Sequence, residues 1–447
     1  MSDDVRVQLL LNDRHVRSSL LEITRITARQ RGKFSKILQE ALRNRKNLSS
    51  KRRRAVADGA YSIMRMTRKV DFLLSLGAQE AHVDVPLLSE EEMLEARYAC
   101  TLVAAEGLEP YDVLMAGFCE AVSRILLGLG AYEQRIANLD SPELRLSIES
   151  SMPLWFTERM VKNLGAEDAT ALLHAMNKRA PLTVRCNLMK ATREEVQRRL
   201  KSEEVESTKC PLIPWALQLT RHVNIRALHS FRMGLIEAQD SGSQWISKIV
   251  DPPKQGRVLD YCAGAGGKTL GLGMMMANRG ELLATDIEGR RLRRSHARVA
   301  RSGLRNVVVH PAGTKLPRSW RKATDRVLVD APCSGSGTLR RVPEKRYTMT
   351  PERVTELTAI QRSILDEVAP YVAKNGRLIY ATCSLFPEEN EDVVASFLDD
   401  YPGFKLLPLS ETMDPQVAQT IGDGSFLKLR PDLHNTDGFF AAILARS

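Results

Sequence analysis

Apolar residues recur along this chain with two different periods, and the change from one to the other divides it. Phe34, Ile37, Leu38, Ala41 and Leu42 fall three and four apart, the spacing of one helix face. Similar stripes return at Val70, Leu73 and Leu74, and at Met93, Leu94, Ala96, Leu102 and Val103 after the acidic start Ser89-Glu90-Glu91-Glu92. A further stripe runs through Val113, Leu114, Phe118, Val122 and Ile125. Residues 1–145 therefore predict an all-α domain. Ala137 to Glu149 is largely polar and reads as a linker. From Pro153 the pattern is mixed: helices near Trp155 to Leu164, Glu167 to Met176 and Thr192 to Leu200, an extended Pro181 to Leu188, and short strands around Leu217 to Thr220 and Gly234 to Glu237. That predicts a small α+β module over 150–238.

After Gln239-Asp240 the periods alternate. Arg257 to Tyr261, Glu281 to Asp286, Asn306 to His310, Asp325 to Asp330 and Arg377 to Thr382 read as strands, with helices starting at Lys268, Glu288, Pro351 and Glu389. Alternation of this kind predicts a parallel sheet covered on both faces, an α/β Rossmann-like domain over 239–447, with Phe439 to Ala445 closing one edge.

Charge adds a partner to this picture. The 447 residues carry a formal charge of +11, which favours a polyanion. Residues 1–70 hold eighteen Lys and Arg against six Asp and Glu, including Lys51-Arg52-Arg53-Arg54. RNA phosphates are the expected ligand of that run, and Arg179, Arg185 and Lys190 around the extended segment form a second candidate edge. The seven cysteines contain no CxxC pair and the eight histidines no ligand spacing, so neither zinc nor a disulfide framework is expected. Met1-Ser2-Asp3-Asp4 opens without an apolar core, and no run approaches the ~18 apolar residues of a membrane span. A cytosolic, metal-free monomer with reduced thiols and no membrane partner is expected.

Candidate chemistry lies at the strand ends. In DRVLVDAPCSGSGT (325–338) the apolar Val327 to Val329 deliver Asp330 and Cys333 to a tight Ser-Gly loop, and in GRLIYATCSL (376–385) Leu378 to Tyr380 deliver Thr382 and Cys383. Carboxyl ends of parallel strands line the ligand crevice, so both thiols and the acid are expected in one pocket. In VLDYCAGAGGKT (258–269), Gly264, Gly266 and Gly267 leave room for backbone to approach a ligand, and Lys268 opens the following helix. Its GKT triplet imitates an ATP-binding loop, but that pattern needs glycine where Cys262 stands. Asp286 ends the second strand about twenty residues on, where an acid accepts from ribose hydroxyls; NAD and S-adenosylmethionine both fit.

DYCAGAGGKT, ATDIE, VLVDAPCSGSGTLRR, YATCSLFPEENE and TDGFF together resemble the RsmB/Sun family of RNA 5-methylcytosine methyltransferases. The helical N-terminus resembles the NusB-like RNA-binding domain of its bacterial RsmB branch. The resemblance implies S-adenosylmethionine as cofactor and a cytosine in small-subunit ribosomal RNA as substrate, with transfer RNA or a catalytically silent, RNA-binding ribosome assembly factor as alternatives. It gives Cys383 the attack on carbon 6 and Cys333 the release. Asp330 is placed to bind the N3/N4 edge of cytosine, and Lys268 to anchor Asp330 or the substrate. The cofactor set is Cys262, Ala263, Gly264, Ala265, Gly266, Gly267, Lys268, Asp286 and Asp330. Two departures stand out: Gly264-Ala265 where the family usually has Ala-Pro, and Ala312 where an acid often meets the adenine. Pro387 to Glu391 reads as a helix start with a structural role, and Asp437-Gly438-Phe439-Phe440 as core aromatic.

Overall fold

The computed structural model describes residues 3–29, 33–45, 47–211 and 213–447. Met1, Ser2 and the basic Arg31 and Lys46 lie outside the described residues. The chain forms two compact units: Met1–Lys178 with Arg341–Thr348, and Arg179–Arg340 with Met349–Ser447.

The first unit is helical, as the spacing predicts. Helices Arg14–Arg29, Phe34–Asn44, Ser50–Glu80 and Glu90–Glu106 turn their stripes inward, burying Val16, Leu20, Phe34, Leu38, Leu73, Leu74, Leu102 and Val103 in one core. Ser89 and Glu92 close a capping box at the head of Glu90–Glu106, satisfying two otherwise orphaned backbone donors. The expected linker is instead a helix, Pro142–Glu149, capped by Ser141, that buries Leu146, Ser147 and Ile148. Its polar look comes from its outward face. Helices Leu154–Leu164 and Ala166–Ala175 also pack in this unit, whose boundary in the chain lies at Lys178. A buried arginine from far along the chain helps to fix that boundary. Arg346 donates to Arg65 O at 2.8 Å, Asn177 Oδ1 at 2.7 Å and Met176 O at 3.1 Å.

The basic run is largely turned to structural use. Arg52 Nε pairs with Asp13 at 2.7 Å. Arg53 donates to the carbonyls of Leu48, Leu42 and Arg45, and Arg54 faces Asp58 at 3.9 Å. Lys51 is the residue of the four left exposed. Composition cannot separate a guanidinium that binds phosphate from one that ties off carbonyls.

In the second unit, β1 (Leu182–Cys186), β2 (Ser207–Lys209), β3 (Ala216–Leu219) and β4 (Ile236–Ala238) form an antiparallel sheet in the order β2-β3-β1-β4. Of the nucleic-acid edge expected here, Arg185 needs correction, while Arg179 and Lys190 lie at the surface. Arg185 is buried and donates to Gly267 O at 2.7 Å. Lys190 Nζ donates to Met233 O and Arg301 O at 2.9 and 2.7 Å. Both cations are held by carbonyls.

The larger sheet contains β5 (Arg257–Asp260), β6 (Glu281–Ala284), β7 (Val307–Val309), β8 (Thr324–Asp330), β9 (Val372–Thr382), β10 (Phe404–Leu406), β11 (Leu427–Leu429) and β12 (Phe439–Arg446). The order is β10-β12-β9-β8-β5-β6-β7, with β5 to β9 parallel. Their unbroken apolar runs, such as Val327-Leu328-Val329, are buried, as helices on both faces require. β12 runs antiparallel to β9, but it is not the edge: β10 pairs its outer side and β11 its start. In β10 and β11 only two apolar residues flank a lysine, too little to mark a strand in sequence. Strand order reverses between β5 and β8, the topological switch point where a crevice opens at the carboxyl ends.

Candidate active site

The crevice begins with the turn from β5 into helix Gly267–Met275. Gly264 and Gly266 have φ of +56° and +81°, a left-handed backbone that residues with a Cβ rarely adopt. The loop is held from three sides. Gly264 N donates to Asp286 Oδ2 at 2.8 Å, Arg298 donates to Ala265 O at 2.6 Å, and Arg185 to Gly267 O. Asp286 is buried, and its other oxygen accepts from Glu288 N at 2.7 Å. A carboxylate oxygen has two acceptor positions, so one on each remains for a ribose diol. The guanidinium of Arg291 backs Gly264, 2.8 Å from where a Cβ would stand.

Sequence reasoning missed Asp260, Arg298 and the inward role of Arg185. Asp260 ends β5, is fully buried, and accepts from Thr269 Oγ1 at 2.6 Å through Oδ2. Its Oδ1 has no hydrogen-bond partner among the described residues. Burial pushes its carboxyl up to about 7, with Asp330 adding to the rise against the Thr269 bond. The available signal was positional: an acid at the strand end beside the glycines. That orphaned oxygen, the left-handed glycines and the half-used Asp286 fit a polar nucleoside cofactor carrying its own donors. Cys262 lies in the same turn, two residues past the end of β5. Burial, then the carboxylates of Asp330, Asp286 and Asp260, push its thiol well above the ordinary range. Ala312 packs on the apolar cluster of Ala263, Ala284 and Leu292, an uncharged surface where an acid was expected.

Across the switch point, β8 and β9 run in register with Asp330 opposite Ala381. Their ends therefore deliver the two cysteine loops side by side. Cys333 Sγ lies 3.2 Å from Cys383 Sγ, and Cys383 N points to Cys333 Sγ at 3.3 Å. A disulfide would bring the sulfurs to about 2.05 Å, so these are two thiols in contact. Lys268 Nζ meets Asp330 Oδ2 at 2.6 Å and lies 5.3 Å from the centre of the Phe439 ring. Gly438 backs the first loop: its N donates to Gly337 O at 2.8 Å, and a Cβ on Gly337 would stand 2.4 Å from Gly438 O. Pro387 to Glu391 divides into a tight turn, Pro387–Glu389, and a helix from Glu391, with Glu389 fully buried between them.

The two thiols and Asp330, expected in one pocket, thus come from the ends of neighbouring strands. Asp286 backs the glycine turn Cys262 to Gly267, and Lys268, in the helix that follows, pairs with Asp330 on the strand that leads to the touching Cys333 and Cys383. Residues 247–445 match the family described as 16S rRNA methyltransferase RsmB/F, and residues 152–226 match the ferredoxin-like domain of RsmF/B-like methyltransferases. A probable ribosomal RNA small subunit methyltransferase B of Bacillus subtilis (strain 168) is 33% identical over 68% of this chain and 68% of its own. The corresponding protein of Synechocystis sp. is 29% identical over 90% and 92%. The crystal structure of PH0851 superposes with a TM-score of 0.75 at 26% identity, over 96% of this chain and 98% of that one. By these matches, the chain belongs to the RsmB/F family of ribosomal RNA methyltransferases.

Proposed function

We propose that this protein methylates carbon 5 of a cytosine in small-subunit ribosomal RNA, through a covalent adduct with Cys383. S-adenosylmethionine is its cofactor and supplies an electrophilic methyl group. The observation that carries the reading is the 3.2 Å contact of Cys333 and Cys383 beside the Lys268–Asp330 pair.

Carbon 5 of cytosine is a weak nucleophile, and a thiolate adding to carbon 6 makes it electron-rich. Cys383 forms that carbon–sulfur bond. Asp330 meets the N3/N4 edge and offsets charge building on the ring, while Lys268 fixes the acid. Once carbon 5 carries the methyl group, Cys333 removes its proton. The electron pair left behind restores the ring double bond and expels Cys383. Asp286 and the glycine loop hold the nucleoside end of the cofactor. Arg298 and Arg185 keep that loop in shape through its carbonyls.

The test is incorporation of labelled methyl into purified small-subunit ribosomal RNA and, separately, transfer RNA, followed by nucleoside analysis. The expected product is 5-methylcytosine in the ribosomal RNA. Label in transfer RNA alone would move the substrate, and no label in either would leave a silent RNA-binding role.

A further inference from the structure

Glu389 has no exposed surface, yet its carboxylate is fully engaged. Oε1 accepts from Ser334 N at 2.8 Å and Gln361 Nε2 at 3.0 Å. Oε2 accepts from Ser334 Oγ at 2.6 Å and from the Ser384 hydroxyl. Four donors fill the four acceptor positions of an ionised carboxylate, which is how a buried charge is tolerated. The donors are not scattered. Ser334 follows Cys333 and Ser384 follows Cys383, so one anion grips the residue next to each thiol.

Neighbouring contacts make that grip stiff. The Glu389 carbonyl accepts from Tyr380 OH at 2.6 Å, fixing the turn to β9. Asn390 accepts from Thr382 Oγ1 at 2.6 Å and donates to Ser384 O at 3.1 Å. Gln361 also donates to Pro332 O at 3.0 Å, just before Cys333. Every one of these bonds ends on a cysteine loop or on the strand leading to it.

We infer that Glu389 is the positioning residue that sets the approach of Cys333 to Cys383. It acts through Ser334 and Ser384, the residues that follow the two thiols. Its consequence for catalysis rests on the two-thiol chemistry proposed above, but its consequence for sulfur spacing does not, and the test uses both. Diamide takes two electrons and two protons from a pair of touching thiols, leaving a disulfide that mass spectrometry reads directly.

Full-length Glu389→Gln keeps the side chain's volume and removes the charge. The pair Ser334→Ala with Ser384→Ala removes both hydroxyl donors and serves should Glu389→Gln fail to fold. In a folded variant, closure of the Cys333–Cys383 disulfide should slow roughly tenfold. kcat for methyl transfer should fall by at least as much, since sub-ångström misplacement is costly, with KM for RNA and cofactor within about twofold. Disulfide closure as fast as in the unaltered protein would overturn the inference. Slow closure in the variants, with no methyl transfer even by the unaltered protein, would leave the positioning role standing and defeat the chemical reading instead.

Discussion

Lys268 and Asp330 come from different strand–loop junctions and meet at 2.6 Å, the lysine side chain 9% exposed and the aspartate 30%. The lysine that opens the cofactor helix therefore points across the switch point to the acid beside the thiols. Lys268→Met removes the cation but keeps most of the stem. Because Asp330 keeps access to water, stability should fall by only about 1 kcal/mol. kcat should fall roughly a hundredfold, because the acid loses its fixed geometry. Steady-state kinetics beside urea unfolding check this; an unchanged kcat would show that Asp330 needs no anchor.

Asp260 gives a pH dependence whose sign is opposite to that of a salt-bridged acid. Its carboxyl is raised from 3.8 to about 7 in the folded chain. Between those values the folded chain holds a proton that the unfolded chain has lost, so its contribution to stability is full below 3.8. It declines as pH rises, by up to roughly 1.4 kcal/mol per unit, and levels off above about 7. Asp260→Asn keeps an acceptor for Thr269 and cannot ionise. Urea unfolding across that window should show the variant gaining on the parent as pH rises; parallel curves would contradict the assignment.

Asp286 holds both the glycine loop and, in this account, the ribose. Asp286→Ala should therefore raise the Kd for S-adenosylmethionine at least tenfold, since hydrogen bonds to a charged acceptor contribute roughly 1.5–3 kcal/mol each. RNA affinity should change little. Calorimetry with cofactor and with RNA separates the two effects, and normal cofactor binding by the variant would refute the role.

What the sequence disclosed and what it withheld have physical reasons. The parallel strands were legible because burial on both faces leaves runs such as Val327-Leu328-Val329, and the thiols because each follows such a run. The helix Pro142–Glu149 was hidden by its polar outer face. The strands Phe404–Leu406 and Leu427–Leu429 were hidden because each has only two apolar residues around a lysine, whereas the equally short Val307–Val309 is wholly apolar. The basic residues were the least legible. Arg53 and Arg185 tie off carbonyls, and a count of charges does not distinguish that from phosphate binding. Glu389 looked like a helix-start acid because nothing local marks it as buried; its partners Ser334 and Gln361 lie 55 and 28 residues away.

In the proposed mechanism the two touching thiols have different tasks, and denaturing gels of protein incubated with RNA and cofactor tell those tasks apart. Cys333→Ala should still attack and be methylated but fail to release, so it should carry RNA as a covalent complex that survives denaturant. Cys383→Ala should form neither complex nor product. A complex trapped by Cys383→Ala and not by Cys333→Ala would reverse the roles. Methyl transfer undiminished in both variants, with no complex in either, would contradict covalent catalysis by this pair.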